Sequence, residues 1–522
     1  MKKFTYILMT LLITSTGLWA QGQVDALRFS REDMFGTARA MSMGGAFGAL
    51  GGDQTGVSIN PAGIAVYRSS EIVGTFGLMG ERATVGNERD GRTTFNMPSM
   101  GFVVYVPLRN DAMPFINFGF TSNQSQSFNR RIHAIGSPNS TMLDFIADRS
   151  FGLNSDNLWI SSDPRDPDPF RSQPWLSVFG YNSFLIDPPT DGSGHWTPVN
   201  TSGYPAVNEI RMTERGYINN FGFTMGTTIN NVLSLGAALS VSEIWYRLDS
   251  EYHEDFMRGN YSMGGYTLEN FLSVDGAGVG GKFGLIFRPI HELRIGVSYH
   301  TPTWFSLTER YSATVIDDMA HFVTEAGYQP GETYSAIFPN EYRLRTPGKW
   351  TLSLATVGRN FLISVDYELV DFRNMQLALP PGVRGIGFDD DNYFISMDYR
   401  LASTLRLGVE YWFTPQFSGR LGYAWMQNPN SATFRHDANP AVAGSNTIFR
   451  MEGDANFFTA GFGYRFNRNF FLDFAMVYKT QNDQLFPFPN LWSESGELVI
   501  DATPFDLRNR SLRGMLTLGY RF

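Results

Sequence analysis

The residues of this chain that could do chemistry are sparse, and their spacing argues against catalysis. Gly276–Ala277–Gly278–Val279–Gly280–Gly281 satisfies the G-x-G-x-x-G pattern. In a dinucleotide site that pattern follows a strand and opens a helix whose N-terminus holds the pyrophosphate. Here it opens a strand, Lys282–Phe287, so the glycines are read as relief for strand bending. No G-x-S-x-G elbow occurs. His133, His195, His253, His291, His300, His321 and His436 show no metal-ligand spacing. Asp163, Asp166 and Asp168 between prolines, and Asp389–Asp391, could offer oxygens to Ca²⁺. Solvated acidic loop is the default reading of both. With zero cysteines there are no disulfides and no thiolate metal sites. An enzyme is not expected, nor a cofactor, nor a metal. The net charge of −9 argues against nucleic acid, which needs a basic stripe.

What the chain does carry is apolar material inside a long connection, at about residues 127–215. Met142, Leu143, Phe145 and Ile146 fit one face of a short helix. A denser stretch follows Pro174, itself suited to a helix start: Trp175, Leu176, Val178, Phe179, Tyr181, Phe184 and Leu185. Such side chains on the outside of a cell could catch an apolar solute, which gains about 25 cal/mol per Å² of apolar surface removed from water. Trp175, Leu176, Phe179, Phe184 and Leu185 are the candidate groove. The alternative is that these residues simply form a small core for the loop.

The elements around them repeat strictly. Two alternating segments are joined tightly at Leu108–Ala112, Asn230–Asn231, Pro289–Glu292, Arg359–Asn360, Pro415–Gln416 and Asn467–Arg468, and between the pairs lie connections of roughly twenty to ninety residues. Fourteen strands are predicted, at 71–79, 98–107, 113–126, 216–229, 232–248, 276–289, 292–308, 346–358, 361–375, 402–414, 417–427, 453–466, 469–482 and 511–522. The alternation is cleanest late in the chain. Leu512, Leu516, Leu518, Tyr520 and Phe522 oppose Arg513, Thr517, Gly519 and Arg521. An arginine facing lipid near mid-bilayer costs roughly 2–4 kcal/mol, so Arg406, Arg420, Arg465 and Arg513 must face a lumen.

Short turns on one side and long loops on the other predict a fourteen-stranded antiparallel transmembrane β-barrel in an outer membrane, with both termini on the short-turn, periplasmic side. The 44 Phe, 23 Tyr and 10 Trp suit aromatic girdles, and 53 Gly suit curved strands. Residues 1–20 read as a leader: Lys2 and Lys3 precede the apolar run Tyr6–Ile13, and Ala20 stands at the cut. Residues 71–522 would be the barrel. Fourteen strands leave a bore that side chains alone do not fill. The filler is residues 21–70, rich in Gly, Ala and Met, with a turn at Asn60–Pro61.

The run from Gly36 to Tyr67, with its words ARAMSMGGAFGALGGD and NPAG, resembles the N-terminal hatch of the FadL/TodX family of outer-membrane transport proteins. YRLRTPGKW at Tyr342–Trp350, then ISVDYELVDF, LRLGVEYWF, SGRLGYAW and FTAGFGYRF, are similar to the family's last seven strands. The resemblance implies passive uptake of small hydrophobic compounds, long-chain fatty acids or aromatic hydrocarbons, past the hatch and sideways into the bilayer at a break in the third strand. It places Asn60, Pro61, Ala62 and Gly63 beside the ligand pocket. Phe115, Asn117 and Gly119 would be the third strand's lumen positions. The partners it implies are a hydrophobic small molecule, outer-membrane lipid and lipopolysaccharide, and barrel-assembly machinery reading the strand that ends in Phe522. The alternative within the fold is a PorV-like scaffold or shuttle for type IX protein secretion.

Overall fold

The computed structural model describes residues 22–200, 202–323, 328–384, 387–493 and 495–522. The expected leader at 1–20 lies outside them. Fourteen antiparallel staves follow one another around a closed wall. They are β1 Glu71–Val85, β2 Glu88–Pro107, β3 Phe115–Ser127 continued by Arg130–Gly136, β4 Ala206–Ile229, β5 Leu233–Arg258 and β6 Tyr261–Phe287. Then come β7 (Leu293–His300 and Trp304–Asp318), β8 (Phe338–Arg345 and Lys349–Val357), β9 Phe361–Asp371 and β10 Leu401–Trp412. The last four are β11 Phe417–Met426, β12 Ala455–Arg465, β13 Phe470–Phe486 and β14 Phe505–Arg521. The wall closes where β1 pairs with β14, from Glu71↔Arg521 to Val85↔Leu507.

The alternation has the predicted sense. Ile72, Phe76 and Leu78 face outward, while Thr75, Arg420 and Arg513 are buried in the lumen. Asn230 and Asn231 both take positive φ, as a two-residue turn between twisted strands requires. Two outer connections expected as long loops are instead strand. β1 and β2 run on to a turn at Gly86–Asn87, and β5 and β6 to one at Gly259–Asn260. β5 is 26 residues long and β6 is 27, against about 9–11 needed to cross a membrane. Above the lipid, polar residues occupy the outward face, so the apolar signature vanishes though the pairing continues.

The long connection between β3 and β4 folds over the mouth as a cap. It carries helices α4 Met142–Arg149 and α5 Trp175–Asn182. Thr141 and Asp144 cap α4 reciprocally. Inside the bore lies the plug, with helices α1 Gln23–Ser30, α2 Ala38–Ser42 and α3 Gln54–Ile59, then a 3₁₀ turn at Pro61–Val66.

Candidate functional site: the chamber beside the plug

The plug is seated by amide side chains on backbone carbonyls and by close backbone approach to wall glycines. Asn60 is buried; its Nδ2 donates to Gly48 O at 2.7 Å and to Leu285 O at 3.1 Å, and its Oδ1 accepts from Ala62 N at 3.1 Å. Glycines in the wall make room for this turn. A Cβ on Gly284 would stand 1.9 Å from Asn60 Oδ1, and one on Gly236 would stand 2.3 Å from the Pro61 carbonyl. A second seat lies across the bore, where a Cβ on Gly408 would meet Met43 O at 2.4 Å. Asn117 on β3 donates to Ile64 O at 2.7 Å and Tyr67 O at 3.1 Å, and Gly119 faces Ile64. Phe115 is buried on the same face. Phe115, Asn117 and Gly119 therefore hold the plug, as Asn60–Gly63 hold the wall.

Ion pairs complete the attachment. Asp33 meets Arg513 at 2.6 Å and Lys479 at 3.0 Å. Burial opposes ionisation of Asp33, but Arg513 and then Lys479 outweigh it and hold the carboxyl well below the usual range. Arg39 meets Glu410 at 2.9 Å, and Glu410 in turn meets Arg420 at 2.7 Å.

Between the plug and the wall a chamber remains. Its two lobes, each about 90 Å³, share Glu32, Ser125, Asn220, Ser240, Lys282, His300, Lys349 and Glu368. Phe29, Phe305, Val370 and Phe372 make one lobe's apolar wall; Met34, Phe35 and Met41 make the other's. Lys349 bridges Glu32 at 2.5 Å and Glu368 at 3.7 Å, and Arg406 reaches Glu368 at 3.2 Å. Lys282 Nζ donates to the Ser58 carbonyl at 3.1 Å, and His300 Nε2 lies 2.9 Å from the Ile59 carbonyl. Arg31 and Asp33 also line the lobes, paired with Glu452 and with Arg513 and Lys479, and Lys282 is the lining cation whose hydrogen bond goes to a neutral carbonyl. The chamber touches Ile59, one residue before the Asn60 turn.

The chamber reaches a discontinuity in the wall. β2 and β3 are laddered from Ser99↔Asn123 down to Pro107↔Phe115. Above that, Glu88–Asn96 of β2 pairs with β1, while β3 shifts register on β4 between Gln124 and Gln126, stops at Ser127 and resumes at Arg130. Side chains span the gap: Asn96 Nδ2 donates to Gln124 Oε1 at 2.7 Å, and higher up His133 meets Glu88 at 3.1 Å. Gln124 and Ser125 line the chamber. Outward, Phe95 and Met97 flank the gap at 66% and 50% exposure, so it opens within the apolar band.

The candidate groove residues lie elsewhere. Trp175, Leu176, Phe179 and Leu185 are buried in the cap, and Phe184 is half-buried at φ 54°. They pack with Met142, Phe145, Tyr246, Tyr252 and Tyr266, the core that a connection of this length needs. The glycine run is not a strand start, for β6 passes straight through it, and Gly280 and Gly281 line the chamber. Asp168 caps a 3₁₀ turn through Phe170 N, and Asp163 pairs with Arg165.

Gly22, the first described residue, and Phe522 lie at opposite ends of the bore. Gly22 lies against Ala441 and Asp391 of the long outer connections, and Gln23 donates to Asp398 at 2.7 Å. Phe522 N donates to Ser70 O at the opposite rim. Strand parity fixes the side of β1 and β14 only; the plug climbs the full bore before β1 begins.

Lumen charge on alternating strands was the available signal for Lys282, His300, Lys349, Glu368 and Arg406. Alternation alone cannot tell which lumen residues surround empty space and which are packed against the plug.

Residues 203–498, more than half of the chain, match the family described as outer membrane protein transport protein (OMPP1/FadL/TodX). No protein of curated function matches the chain. Among solved structures, a Pseudomonas aeruginosa FadL homologue is similar with a TM-score of 0.52 and 13% identity, over 94% of this chain and 100% of that one. The P. putida toluene transporter TodX gives 0.50 and 11%, over 94% and 99%. The Ralstonia pickettii toluene transporter TbuX gives 0.50 and 14%, over 95% and 100%. This chain is a Gram-negative outer-membrane barrel and belongs to the OMPP1/FadL/TodX family of outer-membrane transport proteins.

Proposed function

We propose that the protein admits small hydrophobic compounds passively, holding them in the chamber beside the plug and releasing them sideways between β2 and β3 into the bilayer. The observation that carries this is the coincidence of chamber and gap at Gln124 and Ser125. An apolar solute leaving there never has to re-enter water. Asn60–Gly63 and Phe115, Asn117 and Gly119 act in this scheme by fixing the plug that shapes the chamber. The cap residues Trp175, Leu176, Phe179, Phe184 and Leu185 would meet a solute only if the cap parts.

The charges in the chamber favour an amphipathic solute over a bare hydrocarbon. Excluding water from Lys282, Lys349 and Arg406 with a ring that offers no acceptor costs desolvation. A carboxylate at the end of an acyl chain returns that interaction. Long-chain fatty acid is therefore the substrate class we favour over aromatic hydrocarbon. Scaffolding for protein secretion draws no support from the site.

The test is uptake of labelled oleate and toluene by lipid vesicles carrying the purified protein. Accumulation of oleate above empty vesicles, and above toluene, is expected. Equal accumulation with and without protein would contradict the proposal.

A further inference from the structure

The outward face of five consecutive staves, β14, β1, β2, β3 and β4, carries a belt of arginines in their outer halves. Arg508, Arg510, Arg82, Arg89, Arg131 and Arg215 are all exposed. Arg510 and Arg82 stand just above the apolar band of their staves. Leu512, one outward step below Arg510, is 49% exposed, and Leu78 below Arg82 is 59% exposed. Tyr478, opposite Leu512, marks the aromatic border between lipid tail and headgroup. The belt therefore lies at the headgroups of the outer leaflet.

These arginines take no carboxylate partner among the described residues, in contrast to their neighbours. On β4, β5 and β7, Arg211 meets Glu209 at 2.7 Å, Arg247 meets Asp249 at 2.8 Å and Arg310 meets Asp275 at 2.6 Å. In the belt the arrangement is the reverse. Arg82 is registered directly opposite Arg510. Like charges directly opposite on one sheet face are destabilising unless something anionic lies between them. The positions around them, Thr84, Gly91, Thr93 and Thr213, are neutral. Asp506, at the upper end of β14, shares the face, and Glu209 is already engaged by Arg211 and His133.

A guanidinium fork matches phosphate bidentately, and pairs of guanidinia at strand spacing match two phosphates on a rigid headgroup. We propose that this belt binds the phosphates of the phosphorylated glycolipid of the outer leaflet, lipid A. The belt straddles the gap between β2 and β3, with β14, β1 and β2 on one side and β3 and β4 on the other. The glycolipid thus stands at the gap, its acyl chains lying along the exposed Phe95 and Met97 below. This inference depends on the barrel's place in the membrane and not on which solute passes.

Native mass spectrometry of the detergent-solubilised full barrel tests it, with bis-phosphorylated lipid A, dephosphorylated lipid A and phosphatidylglycerol as probes. The variants are Arg82→Ser with Arg510→Ser, Arg131→Ser with Arg215→Ser, and a control pair at the short-turn end, Arg109→Ser with Arg359→Ser. Folding is read separately from the heat-dependent gel mobility of the barrel. Retention of bis-phosphorylated lipid A, with about tenfold weaker binding for each belt pair removed and none for the control, is expected. Equal binding of the dephosphorylated form or of phosphatidylglycerol would overturn the assignment, as would belt variants that fold and bind like the unmodified protein.

Discussion

Asn96 and Gln124 join side chains at 2.7 Å across a stretch where β2 and β3 share no backbone ladder. Everywhere below that level the two staves are held by main-chain hydrogen bonds. At that level the wall depends on side chains. A neutral side-chain bond contributes about 0.5–1.5 kcal/mol net, so it can open at little cost while the rest of the barrel stays shut.

The plug's seat predicts a leak. Gly284→Val puts a side chain where Asn60 Oδ1 stands, 1.9 Å from the new Cβ. Overpacking of this kind costs about 1–3 kcal/mol, borne by the plug turn and not by the wall. Swelling of vesicles in small sugars should rise in this variant, with heat-dependent gel mobility unchanged.

The plug's charge anchor predicts loosening of a different kind. Asp33→Asn leaves Arg513 facing a neutral amide, with Arg513 itself 1% exposed. Removing one partner of a buried pair costs roughly 3–5 kcal/mol. Protease added from the periplasmic side should cut residues 22–66 faster in the variant, while the staves stay resistant.

The mouth should respond to pH. Burial, helped by the charge of Asp437, raises the Asp398 carboxyl to about 7, against the hydrogen bond from Gln23. A carboxyl whose value is raised on folding favours the protonated state. Its contribution is complete below the ordinary carboxylate value and is lost as pH rises through about 7. The contact between α1 and the outer helix Asp389–Asp398 should therefore hold at pH 5 and weaken by pH 8. Hydrogen exchange at residues 23–30 measures this, and Asp398→Asn should flatten the profile.

The chamber's cations predict a split between substrates. Lys282→Met should raise the half-saturating oleate concentration about tenfold, the worth of one charge-assisted hydrogen bond, and leave the rate at saturation near its original value. Toluene passage should not change. Equal effects on both solutes would show that Lys282 shapes the chamber without recognising a headgroup.

Much of the barrel was legible because lipid imposes a strict dyad. Leu405, Leu407, Val409 and Tyr411 against Arg406 and Glu410 admit one orientation, and the turn at Asn230–Asn231 fixes where the chain reverses. The dyad fails above the lipid, which is why Glu251 to Asp275 read as loop although β5 and β6 pair through it. The gap beside β3 was implied by the family resemblance alone, and the residues themselves did not mark it. Loss of a ladder is a relation between two strands, and neither Asn96 nor Gln124 departs from a strand's composition. Trp175 and Phe179 read as a surface groove because apolar residues in a loop look alike whether they face solvent or one another. The NPAG words marked the plug turn, but its glycine seats at Gly236 and Gly284 lie far along the chain and gave no local sign.

The central claim is exit through the wall between β2 and β3. The chain has no cysteine, so Asn96→Cys with Gln124→Cys gives one addressable pair. Oleate uptake by vesicles should be normal when the pair is reduced, fall to the level of empty vesicles when a short bifunctional thiosulfonate joins the two thiols through disulfides, and return when a reductant cuts them. Uptake that continues undiminished through the joined wall would contradict the account.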